Sequence, residues 1–234
     1  MLTDWHLALT GLGGETRRIG YADLDARARH TVPYTFECIG NPVGGRLIGN
    51  ALWRVVPLAE VLALAPGGLR GARSVMMKAM DGFYASVTIE RATDAYAFLA
   101  LDMNGVPLPA GHGFPVRVIL PGLYGKKQPR WLTEITLLED ADTTSYWERR
   151  LWRGGAAPEY EARFDPRPTA SPEAPLQFTG MAIAGASGVG GVQVSLDDGE
   201  TCVWAEQTTP ARPHVWSLWR YTWPRPTPVR HRLA

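Results

Sequence analysis

Cysteine is scarce in this chain: two in 234 residues, at positions 38 and 202. At most one disulfide can form, which excludes a disulfide-stapled scaffold. Zinc-type Cys/His spacing, a Walker loop and a nucleophile elbow are all missing. Strong charge of either sign is missing too. The 24 Lys and Arg against 23 Asp and Glu leave a formal net charge of +1, so no nucleic-acid partner is expected. No apolar run approaches the roughly 20 residues of a membrane-spanning helix. Met1-Leu2-Thr3-Asp4-Trp5 does not read as a charged-then-apolar leader. What is present is ordinary for a globular chain, 45% hydrophobic and 20% charged, apart from nine tryptophans. Those residues bury large areas and often line pockets. The length suits one large domain or two small ones with ample core.

The first 150 or so residues mix strand and helix signals. Trp5, Leu7 and Leu9 alternate as an early strand, and Tyr21 to Arg29 reads as a short helix. Leu58, Val61, Leu62 and Ala65 follow Pro57 as an amphipathic helix with proline in its first turn. Val75, Met77 and Ala79 alternate, as do Val116, Val118 and Leu120, and Trp131 to Glu139 is rich in strand formers. Strands and long helices do not alternate regularly, so an α+β domain with a mixed sheet is expected over residues 1–153. Residues 154–175 are rich in proline, glycine and alanine and read as a linker or wrapping segment. Residues 176–234 are all strand in pattern. Val192, Val194 and Leu196 lead into the hairpin signal Asp197-Asp198-Gly199, and Ser217, Trp219, Tyr221 and Trp223 share one face. This predicts part of a β-sandwich, shorter than the roughly 100 residues of a typical one.

Two places carry chemistry. Cys38 ends a strand-like run and opens the turn Ile39-Gly40-Asn41-Pro42-Val43-Gly44-Gly45. A thiolate so presented is a nucleophile or a soft metal ligand; the competing reading is a buried structural cysteine. The second place is His112 to Arg117, then Gly125-Lys126-Lys127-Gln128-Pro129-Arg130. Basic side chains around loop N–H groups make a phosphate site; the competing reading is a solvated basic loop.

The order of motifs adds a resemblance. Cys38-Ile39-Gly40-Asn41, Trp53 before Pro57-Leu58, Met103-Asn104-Gly105-Val106-Pro107, His112 to Arg117, Pro121-Gly122, Arg130-Trp131-Leu132 and Tyr146-Trp147 together resemble the molybdopterin-binding domain of the sulfite oxidase family. The tail from Phe178 to Trp223 resembles that family's immunoglobulin-like dimerisation domain, here shortened. The resemblance implies a mononuclear molybdenum oxidoreductase that performs two-electron oxygen-atom transfer on a small molecule with a molybdenum-molybdopterin cofactor. It implies that Cys38 ligates the metal and that Asn41 lies beside it. His112, Arg117, Gln128 and Arg130 would hold the pterin and its phosphate, and Ser86 would lie near the cofactor; on physical grounds rather than by the motif, Lys126 and Lys127 would add charge. Trp53, Tyr146 and Trp152 would shape the substrate pocket; for Ser86 and the three aromatics packing is the competing reading.

Pro42 and Val43 stand where true sulfite oxidases carry arginines, and Trp152 falls where the family has a tyrosine. Sulfite is therefore a doubtful substrate. The resemblance also implies a separate electron-transfer partner (a cytochrome or quinone-linked protein), a homodimer, and an extracytoplasmic location with any export or membrane segment outside this sequence. The rival expectation is a non-catalytic or truncated module of the same fold that serves cofactor binding or interaction.

Overall fold

The computed structural model describes residues 2–42, 44–141, 143–151, 160–165 and 175–224. Among them strands dominate and helices are few and short. The order is β1 (His6–Thr10), β2 (Thr16–Gly20), α1 (Tyr21–Asp25), β3 (His30–Glu37), β4 (Ile48–Pro57), α2 (Leu58–Leu62), β5 (Ser74–Ala79), β6 (Tyr84–Thr88) and α3 (Ile89–Ala92). It continues with β7 (Phe98–Met103), β8 (Val106–Pro107), β9 (Arg117–Ile119), β10 (Leu132–Leu138), β11 (Glu161–Phe164) and β12 (Leu176–Ile183). It closes with β13 (Gln193–Val194), β14 (Val203–Trp204), β15 (Glu206–Gln207) and β16 (Ser217–Trp223). The described residues fall into two compact units, one within 1–39 and 51–158, the other within 40–50 and 159–234.

The first unit holds two sheets. One has the order β2-β1-β10-β5-β6. β1 and β10 run parallel while the other neighbours are antiparallel, so the sheet is mixed as expected. Its alternating residues Leu7, Leu9, Val75, Met77 and Ile135 are buried in one large core. Full burial of such a side chain stabilises by roughly 1.5–3 kcal/mol. The other sheet has the order β3-β4-β7-β8, with β9 also paired to β7. Its centre is covered on both faces. Leu99 and Leu101 of β7 join the large core, whereas Phe98 and Ala100 join a second, aromatic core with Tyr34 and Trp53. That double burial explains why β7 shows no alternation in the sequence.

The helices are shorter than their patterns predict. α1 stops at Asp25, and α2 buries Leu58, Val61 and Leu62 at helical spacing. Pro57 ends β4 and caps α2 from outside rather than sitting in its first turn.

In the second unit β11-β12-β16-β15 form a four-stranded sheet and β13-β14 a separate ribbon. Trp219 packs with Phe178, Val192 and Val194 in its core. Gly180 lies beneath Trp219: a Cβ there would sit 2.4 Å from the indole Cζ2 and 2.0 Å from the Arg163 carbonyl oxygen. The hairpin signal holds, with Gln193 opposite Trp204 and Asp197 accepting from the Ser195 hydroxyl at 2.7 Å and the Thr201 N–H at 2.9 Å. β11 arises inside the stretch expected to be a linker. It pairs with β12, and Arg163 donates to the Gly45 carbonyl at 2.7 Å.

Candidate functional site

Cys38 is the residue after the last of β3, and its side chain is exposed with a free thiol. The buried structural reading is thereby overturned. Cys202 is also free and exposed. In the first unit Cys38 opens onto a cavity of about 430 Å³ whose lining includes Phe83, Gly125, Lys126, Arg130, Trp131, Tyr146 and Trp147. Among the described residues no three His, Cys, Asp or Glu side chains converge as a metal cage. A metal at Cys38 would need most of its ligands from elsewhere.

The basic cluster is not a solvated loop. Arg117, Lys126 and Lys127 are all buried. Arg117 projects from β9 with its guanidinium carbon 3.9 Å from the Phe36 ring centroid and 5.4 Å from that of Trp53. Its Nη1 donates to the His112 carbonyl at 3.1 Å, whereas its buried Nε has no hydrogen-bond partner among the described residues. Burial, with repulsion from Arg130, pushes the Arg117 guanidinium down to about 9.

Residues 110–113 gather the cluster. Arg130 donates to the Gly111 carbonyl at 2.6 Å and Trp131 Nε1 to the Ala110 carbonyl at 2.7 Å. Gly113 has φ of 110°, and a Cβ there would stand 3.0 Å from Arg117 Cβ and 3.1 Å from Arg130 Cα. Glycine thus lets the turn back directly onto both arginines. His112 itself stays exposed. Trp131, on the cavity wall, has φ of 51°. A non-glycine residue held there costs roughly 1–3 kcal/mol, and such strain concentrates at functional sites.

Lys127 behaves differently. Its Nζ lies 2.7 Å from Ser145 Oγ, 2.8 Å from the Thr143 carbonyl, 3.3 Å from the Ser86 carbonyl and 3.2 Å from Glu148 Oε1. Glu148 was not legible as a site residue because its ion-pair partner Lys127 lies on a separate element, brought near only by folding. Its burial alone would raise its carboxyl, but the Lys127 ammonium and the Ser145 N–H outweigh that and hold it below the usual range.

The remaining candidates separate. Gln128 donates to Tyr34 Oη at 3.0 Å and to the Leu123 carbonyl at 2.6 Å while accepting from the Leu120 N–H at 2.9 Å, so its amide braces the loop. Trp53 is a core residue whose indole N–H donates to the Tyr34 carbonyl at 3.3 Å; it does not line the cavity. Ser86 is buried on β6, its N–H donating to Ser145 Oγ at 2.9 Å. Tyr146 does line the cavity, with the Arg150 guanidinium 3.5 Å from its ring centroid. Asn41 belongs to the second unit, where its side chain accepts from the Leu47 N–H at 2.9 Å. Trp152 lies outside the described residues. Phe36, Phe83 and Trp147 join Glu148 as site residues the sequence did not single out for that role.

A family model described as the oxidoreductase molybdopterin binding domain matches residues 1–147. The chain belongs to this molybdopterin-binding oxidoreductase family. The resemblance carried by the motifs is thus borne out. Sulfite oxidase of Gallus gallus is 30% identical over 271 aligned positions that cover 95% of this chain and 59% of the relative. The NADPH nitrate reductase of Fusarium oxysporum is 29% identical, over 69% of this chain and 20% of its own. This family member spans about half the length of the curated relatives it matches. Its fold is similar to that of the sulfane dehydrogenase SoxCD from Paracoccus pantotrophus, with a TM-score of 0.82, 20% identity, and coverage of 96% of this chain and 64% of that one.

Proposed function

We propose that this family member is a molybdenum-dependent oxidoreductase acting by two-electron oxygen-atom transfer on a small substrate. The observation that carries the reading is an exposed cysteine on the wall of a cavity that buried Lys126 and exposed Arg130 also line. The donor chemistry fits the cofactor. A lone thiolate is a soft ligand suited to a metal whose other ligands arrive with a pterin dithiolene. Arg117, buried and with no partner for its Nε among the described residues, is suited to an anionic group such as a pterin phosphate.

When bound, the molybdenum centre supplies the redox couple and the oxygen-atom exchange, which side chains cannot. The chain's own residues bind and orient. Cys38 would ligate the metal. Arg117, Arg130, Lys126 and the His112 turn would hold the anionic end of the pterin, and Gln128 would fix the shape of the loop around it. Asn41 and Ser86 are assigned to the cofactor's surroundings through the family motif. Tyr146 and Trp147 would bound the substrate space and exclude water, with Trp152 assigned to the same space by the motif alone. Trp53 would act from behind, as part of the aromatic floor under Arg117. Pro42 and Val43 replace the arginines of sulfite-oxidising relatives, which argues against sulfite itself. The second unit's four-stranded sheet, its ribbon and the packing of Trp219 support an immunoglobulin-like unit, and assembly as a homodimer is assigned to it through the family resemblance alone. Electrons would pass to or from a separate cytochrome or quinone-linked partner.

The test is molybdenum and pterin per chain, in protein from a host that makes the cofactor, with Cys38→Ser beside it. About one of each per wild-type chain, with metal chemistry lost in the variant, is the expected result. Folded wild-type protein with neither would overturn the reading and favour a non-catalytic interaction module.

A further inference from the structure

The Lys127 ammonium has three N–H groups, and the acceptors around it include the Thr143 and Ser86 carbonyls, Ser145 Oγ and Glu148 Oε1. It is also buried. Nothing in this arrangement directs it toward a ligand; it points at residues 143–148. Those residues bring Tyr146 and Trp147 to the cavity. Ser145 Oγ in turn accepts from the Ser86 N–H at 2.9 Å, the Ser145 N–H donates to Glu148 Oε2 at 2.9 Å, and the Tyr146 N–H donates to the Tyr84 carbonyl at 3.1 Å.

We propose that Lys127 is a positioning residue, not a cofactor-binding one: it ties the basic turn Gly125–Lys127 to residues 143–148 and so sets where the Tyr146–Trp147 wall stands. The inference rests on the cavity being the cofactor and substrate site. Its physical basis is the cost of a half-satisfied buried cation. With its acceptors removed, the ammonium would be stranded in a poor dielectric, so the segment is held wherever those acceptors can reach it. Because Gly125 and Lys126 line the cavity beside that wall, the same contact couples the spacing between the two linings.

The experiment compares wild type, Lys127→Met and Ser145→Ala in the full chain by hydrogen exchange of residues 143–148, pterin content, and separated kcat and KM. Lys127→Met is expected to keep its pterin within about twofold. Its 143–148 amides should exchange about 10-fold faster, and KM should rise by about as much while kcat changes little, the scale of one lost charge-assisted hydrogen bond. Ser145→Ala should show a weaker form of the same pattern and carries the test if Lys127→Met does not fold. Loss of pterin from either variant with unchanged exchange would overturn the proposal and return Lys127 to the cofactor. Wild-type protein without pterin would instead sink the proposed function, while the exchange comparison would still decide whether Lys127 holds the wall.

Discussion

Arg117 and Lys127 are both buried cations in the first unit, yet the fold treats them oppositely. Lys127 is saturated by its own chain, with an anion, a hydroxyl and two carbonyls around one ammonium. Arg117 rests on the face of Phe36, spends one N–H on a carbonyl, has no partner for its Nε among the described residues, and is repelled by Arg130. Burying an ionised group without full hydrogen bonding is costly. On the reading proposed above, the saturated cation is a structural tie and the unsaturated one awaits an anionic group that the chain does not supply.

The most severe way to break this contrast is Arg117→Met. Cofactor retention should weaken by about 10- to 100-fold, the loss of one or two charge-assisted hydrogen bonds, read as pterin remaining after dialysis. Retention matching wild type would place Arg117 with Lys127 as structural. Gly113→Ala strikes the turn behind both arginines. Its Cβ would meet Arg130 Cα at 3.1 Å on a backbone with φ of 110°, and a destabilisation of roughly 1–3 kcal/mol is expected. That is a fall of several degrees in Tm by calorimetry, together with weaker pterin retention. Trp131→Phe removes the indole bond to Ala110 while keeping the strained backbone, and should cost about 1 kcal/mol in chemical denaturation.

The finest test uses pH. Burial, with repulsion from Arg130, holds Arg117 at about 9, well below the ordinary guanidinium value. Between those values the unfolded chain binds more protons, so stability rises with pH across the window, and the full cost of the buried charge is felt below it. The stability advantage of Arg117→Met over the cofactor-free wild type should thus shrink as pH rises above about 9. Glu148 gives the matching slope at the other end. Its lowered carboxyl stabilises the fold above its ordinary value of 4.5 and ceases to as pH falls through its folded value. Wild type should therefore lose more stability on acidification than Glu148→Gln, measured by urea midpoints.

The sequence carried the outline of this picture where one face of an element is buried and the other is not. Val75, Met77 and Ala79, or Ser217, Trp219 and Tyr221, announce their strands because alternation survives in them. It failed for β7 and for the end of β4, where adjacent residues such as Val55 and Val56 enter different cores. β11 was hidden by the prolines around it. At the site, Cys38 and the basic cluster were legible because residue type alone carries their chemistry. The difference between Lys127 and Arg117 was not. It depends on Ser145 and Glu148 in one case and on Phe36 in the other, partners brought near only by folding. Trp53 stayed open between two readings for the same reason, since an indole suits a pocket wall and a core equally well.

The grouping of residues 40–50 with the second unit has a consequence for anyone who would take the molecule apart. The polypeptide leaves the first unit just after Ile39, returns at Ala51, and leaves again near residue 158. Expressing residues 1–158 alone would keep the thiol of Cys38 but deprive the very next turn of its companions, including the Arg163 side chain that holds the Gly45 carbonyl. A gene cut at that point is not a clean excision. The chain passes from the first unit to the second just after the cavity's cysteine, the residue on which the chemistry would depend.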